Sequence, residues 1–259
     1  MAVPSNVVSI LNPQIPAKQS IYEASDTQEA KLGTRLQVGE RVYYYSRLST
    51  SANVVAGDVL CAPQLIASHQ SGILAGAAAT TGATTITFTA GTLGSLNQYA
   101  EGYIVFASTG LAGCGIYKVK SNPAWATAAT NATVVIYDPL PGTLAAAMPI
   151  NLVPNMFNAV KVGSEALDIA IGVAPVAVTT GQYFWAQSYG PAAVRHSAGT
   201  PAGALMSLAT LGFLGAYSIT GTLAATGFAQ IDYKMPIAKN FSLAATATQA
   251  NPVFLTILP

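Results

Sequence analysis

Charge is the scarcest thing in this sequence. Its 259 residues carry eleven basic and ten acidic side chains, 8% of the chain, against about 25% in an ordinary soluble domain. The net charge is only +1. No stretch is basic enough to track a phosphate backbone, so nucleic acid is not an expected partner. Long hydrophobic runs are missing as well. A spanning helix needs roughly 20 mainly apolar residues; the best run, Gly203–Tyr217, is shorter and broken by Gly and Thr. Ten-residue alternation with aromatic girdles, the mark of a membrane barrel, is not visible either. No membrane association is expected. The opening MAVPSNVVSILNPQIP has no basic n-region and no clean apolar h-region, so no signal peptide is expected.

Cysteine is limited to Cys61 and Cys114, and histidine to His69 and His196. Both cysteines lie in strand-like surroundings. Buried free thiols are the plain reading; a disulfide would need an oxidising compartment, which nothing in the sequence indicates. Neither histidine has a second His, Cys or carboxylate at ligand spacing, and a zinc site needs at least three convergent protein ligands. No metal and no cofactor are expected. The usual enzyme signatures are absent too. There is no G-x-S-x-G. The glycine-rich run Gly110–Gly115 does not join a strand to a helix, so it is no phosphate cradle. Asp26/Glu29 and Glu165/Asp168 are close carboxylate pairs, but no tryptophan lies near either in sequence, as a glycosidase cleft would need. No catalytic residue is named, and the chain reads as something other than an enzyme.

What is present is apolar and rich in small residues. Mean hydropathy is positive. A monomer with so little charge is poorly kept in solution; much of the surface is expected to be covered by copies of the chain or by partners. Residues 1–20 hold Pro4, Pro13 and Pro16 with little periodicity, and read as an extended arm. Its apolar cluster Val7, Val8, Ile10 and Leu11 is a poor thing to leave in water, which points to docking on another subunit.

Nine of the charged residues fall between Lys18 and Arg47. Their mixed signs fit ion pairs or a solvated face. Within this segment, Leu32–Val38 and Arg41–Leu48 read as two strands turning at Gly39-Glu40. Alternation places Arg41, Tyr43, Tyr45 and Arg47 on one face. Half-buried sheet tyrosines account for that row; so does a subunit interface, where Arg and Tyr are enriched. From Val59 to Ala100 there is no Asp, Glu, Lys or Arg. Thr/Ile/Phe alternation at Ala83–Thr89, and apolar runs at Gly102–Ser108, Gly115–Lys120 and Ala132–Tyr137, mark strands of a small unit. Further on, Ile169–Val178, Gln182–Tyr189 and Ala192–His196 read as short strands, with a turn at Gly190-Pro191, and Val253–Leu258 as a paired one. The 8–12-residue rhythm is that of a sandwich or barrel. The expected fold is all-β: a barrel- or sandwich-like main domain (21–75 and 150–259), an inserted small β domain (76–149) and the N-terminal arm (1–20).

Several of these segments resemble the head-decoration (cement) proteins of tailed bacteriophage capsids. The likeness rests on the hairpin from Leu32-Gly33-Thr34-Arg35 to Tyr43–Tyr45, followed by Ala56-Gly57-Asp58-Val59-Leu60. It continues through Ile171–Ala174, Thr180–Gln187 and Gly190-Pro191-Ala192. Asn97–Tyr103 and Tyr137–Leu140 are similar to an insertion in longer relatives. The resemblance implies a β-barrel-like structural protein on the capsid exterior of a virion assembled in the host cytoplasm. It also implies homotrimers that bridge major capsid protein subunits. The competing expectation is a tail or fibre adsorption protein that binds host surface glycans. The residues named as a candidate subunit interface are Val7, Val8, Ile10, Leu11, Arg41, Tyr43, Tyr45 and Arg47.

Overall fold

The structure, a computed structural model, describes residues 19–70, 73–106, 115–163, 168–196, 202–209, 212–216, 220–223, 229–232, 236–241 and 250–259. It is all-β. In chain order the strands open with β1 (Arg35–Val38), β2 (Arg41–Leu48) and β3 (Val59–Cys61). A four-residue helix α1 (Ala67–Gln70) follows. Next come β4 (Ile73–Ala75), β5 (Thr85–Thr89), β6 (Tyr103–Phe106), β7 (Ile116–Ser121), β8 (Ala132–Ile136) and β9 (Pro149–Val153). The chain continues with β10 (Asn158–Val162), β11 (Ala170–Val173), β12 (Tyr183–Arg195), β13 (Leu205–Leu208) and β14 (Leu214–Ala216). It ends with β15 (Thr220–Leu223), β16 (Ala229–Asp232), β17 (Ala238–Asn240) and β18 (Ala250–Thr256).

Two compact units result. One joins residues 1–63 to 157–259, and the other is Gln64–Met156. The second unit is a closed barrel in the order β4-β5-β8-β7-β6-β9. Strict alternation builds it: Ile86 and Phe88 of β5, Ala132, Val134 and Ile136 of β8, and Ile104 and Phe106 of β6 all face one interior. Each of the Ile, Val and Phe side chains taken fully out of water contributes roughly 1.5–3 kcal/mol, and Ala132 less. The boundaries expected from the sequence, 76 and 149, fall inside this barrel. β4 pairs with both β5 and β9, so the strands that close it lie at 73–75 and 149–153. Gly94 is needed here for close approach, because a Cβ would sit 2.2 Å from the Trp125 ring.

In the first unit the pairings β2-β10-β3-β11-β12 return to β2, because β12 pairs with β2 as well as with β11. This ring of five strands is antiparallel except for β10 beside β2. A second ring grows from the far half of β12 through β18, β17, β13 and β14. It returns to β12 by a bridge between His196 and Leu214. β1 lies outside both rings at the end of the sheet, and β15 and β16 form a separate two-stranded sheet.

β12 is therefore the strand both rings share. The sequence divides it in two at Gly190-Pro191; the structure shows one thirteen-residue strand. Residues 183–189 pair with β2 and residues 189–195 with β18. Gly190 makes the change of partner possible. Its φ is +87°, and a Cβ there would lie 2.5 Å from the Glu40 carbonyl oxygen. Only glycine takes that conformation so close to a neighbouring backbone. The Gly-Pro pair is a bend within a strand rather than its end.

Candidate interaction surface

β2 carries the row expected to meet a partner, and the structure turns that row inward. Tyr43 and Tyr45 are fully buried. Ile21 and Leu36, with Ala30, Leu32 and Val38, pack over them in the same cluster as Trp185. The Tyr45 hydroxyl donates to Gln19 Oε1 at 2.7 Å and accepts from the Glu29 backbone N–H at 3.0 Å. Trp185 meets the Tyr45 ring edge-on at 5.0 Å and donates its Nε1–H to the Gln19 carbonyl. Burial raises the Tyr45 phenol above its ordinary pKa. At Tyr43 burial pushes the phenol up to about 12, against a smaller opposing pull from Arg41. Its hydroxyl has no hydrogen-bond partner among the described residues. Neither ring can offer itself to another subunit while the fold is intact, so the interface expectation is corrected for Tyr43 and Tyr45. They are core, because residues 19–38 fold back over the outer face of β2.

Arg41 and Arg47 stay half-buried. Arg41 Nη1 donates to the Tyr22 hydroxyl at 3.1 Å, and this bond raises its pKa; its guanidinium lies 5.8 Å from the Tyr43 ring centre. Arg47 donates Nε–H to the Gly181 carbonyl and lies over the Tyr183 ring. Val7, Val8, Ile10 and Leu11 lie outside the described residues. So do residues 1–18 of the expected arm, whose inner boundary at 20 is set too far in. Gln19 is already part of the fold: buried, it donates Nε2–H to the Tyr183 and Glu23 carbonyls.

Beside Arg41 the first unit has a groove of about 450 Å³. Pro191, Ala193 and Pro252 are exposed in its lining, with Val173 and Val253 buried behind them, and Tyr22 and Phe241 stand at its side, each more than half exposed. The Ala56-Gly57 turn closes one side. That turn is fixed from behind. Gly57 donates N–H to the Ala174 carbonyl and accepts from the Arg195 N–H. Asp58, nearly buried, takes Arg195 Nη1 at 2.6 Å on Oδ1 and the Val55 N–H at 3.0 Å on Oδ2. The Arg195 guanidinium also covers the Phe213 ring at 4.3 Å. Sequence reasoning singled out Ala56-Gly57-Asp58 only for a resemblance, not as a turn, and missed Tyr22, Phe241 and Arg195. These converge from distant parts of the chain, and no spacing rule joins them.

The remaining polar chemistry is internal. His69 is buried in the second unit, with Nδ1 2.5 Å from the Tyr99 hydroxyl and Nε2 2.9 Å from the Thr92 hydroxyl. It is a hydrogen-bonded core residue. His196 is buried in the first unit, and neither ring nitrogen has a partner among the described residues. Burial lowers its pKa. Cys61 is a free, buried thiol pushed up to about 12, chiefly by burial; Cys114 lies outside the described residues. No group of three His, Cys, Asp or Glu could hold a metal among the described residues. On the surface of the second unit, Tyr103, Lys118 and Tyr137 lie side by side across β6, β7 and the end of β8. The Lys118 ammonium pairs with Glu101 at 2.8 Å, and the Tyr137 hydroxyl donates to the same carboxylate. The bond to Glu101 raises the pKa of both Lys118 and Tyr137. The chain matches no protein-family model, no curated protein and no solved structure.

Proposed function

We propose that the chain is a structural virion protein that decorates a phage capsid and stabilises it by bridging major capsid protein subunits, with homotrimers as the working form. One observation carries the reading: a chain with 8% charge leaves large apolar side chains outside on both units. Tyr22, Val55, Ile169 and Phe241 are exposed on the first, and Leu93, Leu96 and Ile116 on the second. Apolar area of this kind is worth covering, at about 25 cal/mol per Å², and obligate assemblies are built from such surfaces. The resemblance of the hairpin and the Ala56-Gly57-Asp58 segment to cement proteins supplies the direction. The role is mechanical. Covered surface raises the free energy of pulling capsid subunits apart under internal pressure. Cryo-EM maps of particles with and without the protein test it. Density at the tail tip, or equal resistance of both particles to heat and DNA loss, sinks the proposal.

The row of Tyr103, Lys118 and Tyr137 favours a second reading, adsorption to host glycans. Exposed tyrosine rings flanking a fixed ion pair offer stacking faces together with polar anchors. Binding of purified protein to host surface polysaccharide, lost in Tyr103→Ala and Tyr137→Ala, is its test. Binding that is absent from the start removes this reading and leaves the first untouched.

A further inference from the structure

We infer that the groove beside Arg41 is the seat for the N-terminal segment of a second copy of this chain, centred on residues 7–11. The inference rests on the reading of the protein as an assembling coat component, and it names one of the contacts.

The chemistry of the two parts matches. The exposed lining of the groove is proline and alanine, at Pro191, Ala193, Ala250 and Pro252, with an exposed tyrosine and an exposed phenylalanine beside it. Arg41 is the one charged residue in its lining among the described residues, and its Nη1 is already held by Tyr22. A charged occupant would have to leave water for an apolar floor, which costs free energy unless the charge is paired. Residues 1–17 have no charged side chain, and Val7, Val8, Ile10 and Leu11 are their apolar centre. Aromatic side chains are enriched at such contacts relative to the rest of the surface.

Position decides between the two possible grooves. The chain enters the described fold at Gln19, which is fixed by Tyr45, Trp185 and Tyr183. The eight residues from Gln19 back to Leu11 span at most about 28 Å. Pro13 and Pro16 lie within that stretch. Each proline fixes its own φ and biases the residue before it toward an extended backbone. The chain's own groove begins at Tyr22, three residues after Gln19. Reaching it demands a tight reversal that these prolines oppose. An extended segment delivers residues 7–11 to a neighbour instead.

The seat holds its occupant by side chains. β18, which forms part of the floor, already pairs with β12 on one side and β17 on the other. Pro191 and Pro252 add no N–H. Over Val253–Leu255 the strand is paired on both sides, so an occupant there is held by apolar fit.

The experiment uses the purified full-length chain in a Cys114→Ser background. Val8→Cys and Ala193→Cys proteins are made separately, mixed and oxidised. Ala193 lies in the groove lining and is exposed, so its substitution is accommodated. The expected result is a disulfide-linked dimer from the mixture that neither protein gives alone. Sedimentation of the unmodified protein above the single-chain 26.5 kDa is expected as well, and its loss on deleting residues 1–17 or on Ala193→Arg. A third protein carrying both substitutions is oxidised alongside: a cross-link formed only within that chain, and not between the mixed proteins, overturns the inference, because the segment then docks on its own body. Absence of any cross-link, with sedimentation indifferent to the deletion, overturns it too. Pelleting with capsids separates this outcome from the broader reading. Capsid binding without the copy-to-copy link removes the groove inference alone; the link without capsid binding removes the coat reading alone.

Discussion

Tyr43 and Tyr45 sit two residues apart on one strand, and the same atom removed from each should have opposite effects. Tyr45→Phe deletes a hydroxyl that donates to Gln19 Oε1 and accepts from the Glu29 N–H. Both partners stay behind in a buried or half-buried setting. A buried polar group stripped of its partner costs about 1–3 kcal/mol. Glu29 is at the surface edge and can recover a water, so the lower half of that range, about 1–2 kcal/mol of destabilisation, is expected. Tyr43→Phe deletes a hydroxyl that is fully buried and has no partner among the described residues. Its desolvation is uncompensated, and removing it should stabilise by a few tenths to about 1 kcal/mol, less than the full penalty because the vacated space loses contacts. In thermal unfolding each kcal/mol corresponds to about 2–4 °C for a body of this size. Tyr45→Phe should therefore melt lower than the parent, and Tyr43→Phe at or above it. Urea titration followed by circular dichroism gives the same comparison as a difference in midpoint. Equal destabilisation by the two substitutions would refute the reasoning, since it would mean that Tyr43 has a partner or that ring packing alone governs both sites.

Other outcomes follow from the same geometry. Gly190→Ala should destabilise the first unit by about 2 kcal/mol or more, through a positive φ and a clash with the Glu40 carbonyl; a neutral effect on the urea midpoint would contradict the bend. Asp58→Ala strands the half-buried Arg195 and should cost about 2–4 kcal/mol, while a double substitution with Arg195→Met should recover part of it. His196 has its pKa lowered in the fold from an ordinary 6.5. The unfolded chain then binds a proton that the fold refuses, so stability is full above that pH and falls as pH drops below it. His196→Leu should flatten this acid limb. Tyr43 works at the other end: with its folded pKa at about 12 against an ordinary 10, stability should fall as pH rises from about 10 toward 12, less steeply in Tyr43→Phe, where the raised groups Tyr45, Tyr99 and Cys61 still contribute. Cys61 should resist a thiol reagent at about pH 8 until the chain unfolds.

The sequence by itself determined the class of structure. Alternation at Thr85–Thr89 and Ala132–Ile136 specifies strands with one buried face, because side chains on an extended backbone point alternately to either side. The hairpin at Gly39-Glu40 was legible for the same reason. Tertiary structure decided which faces are covered and by what. Alternation put Arg41, Tyr43, Tyr45 and Arg47 on one side of β2 but was silent on what lies over that side. Residues 19–38 fill the place and make the tyrosines core. Gly190-Pro191 is locally a turn signal, yet pairing with β2 on one half and β18 on the other holds β12 as one strand. Likewise, Tyr22, Arg41 and Phe241 reach one groove from segments far apart in sequence. Local rules act over a few residues, whereas barrel closure is set by pairings across the whole chain; the groove exists only once both rings have closed.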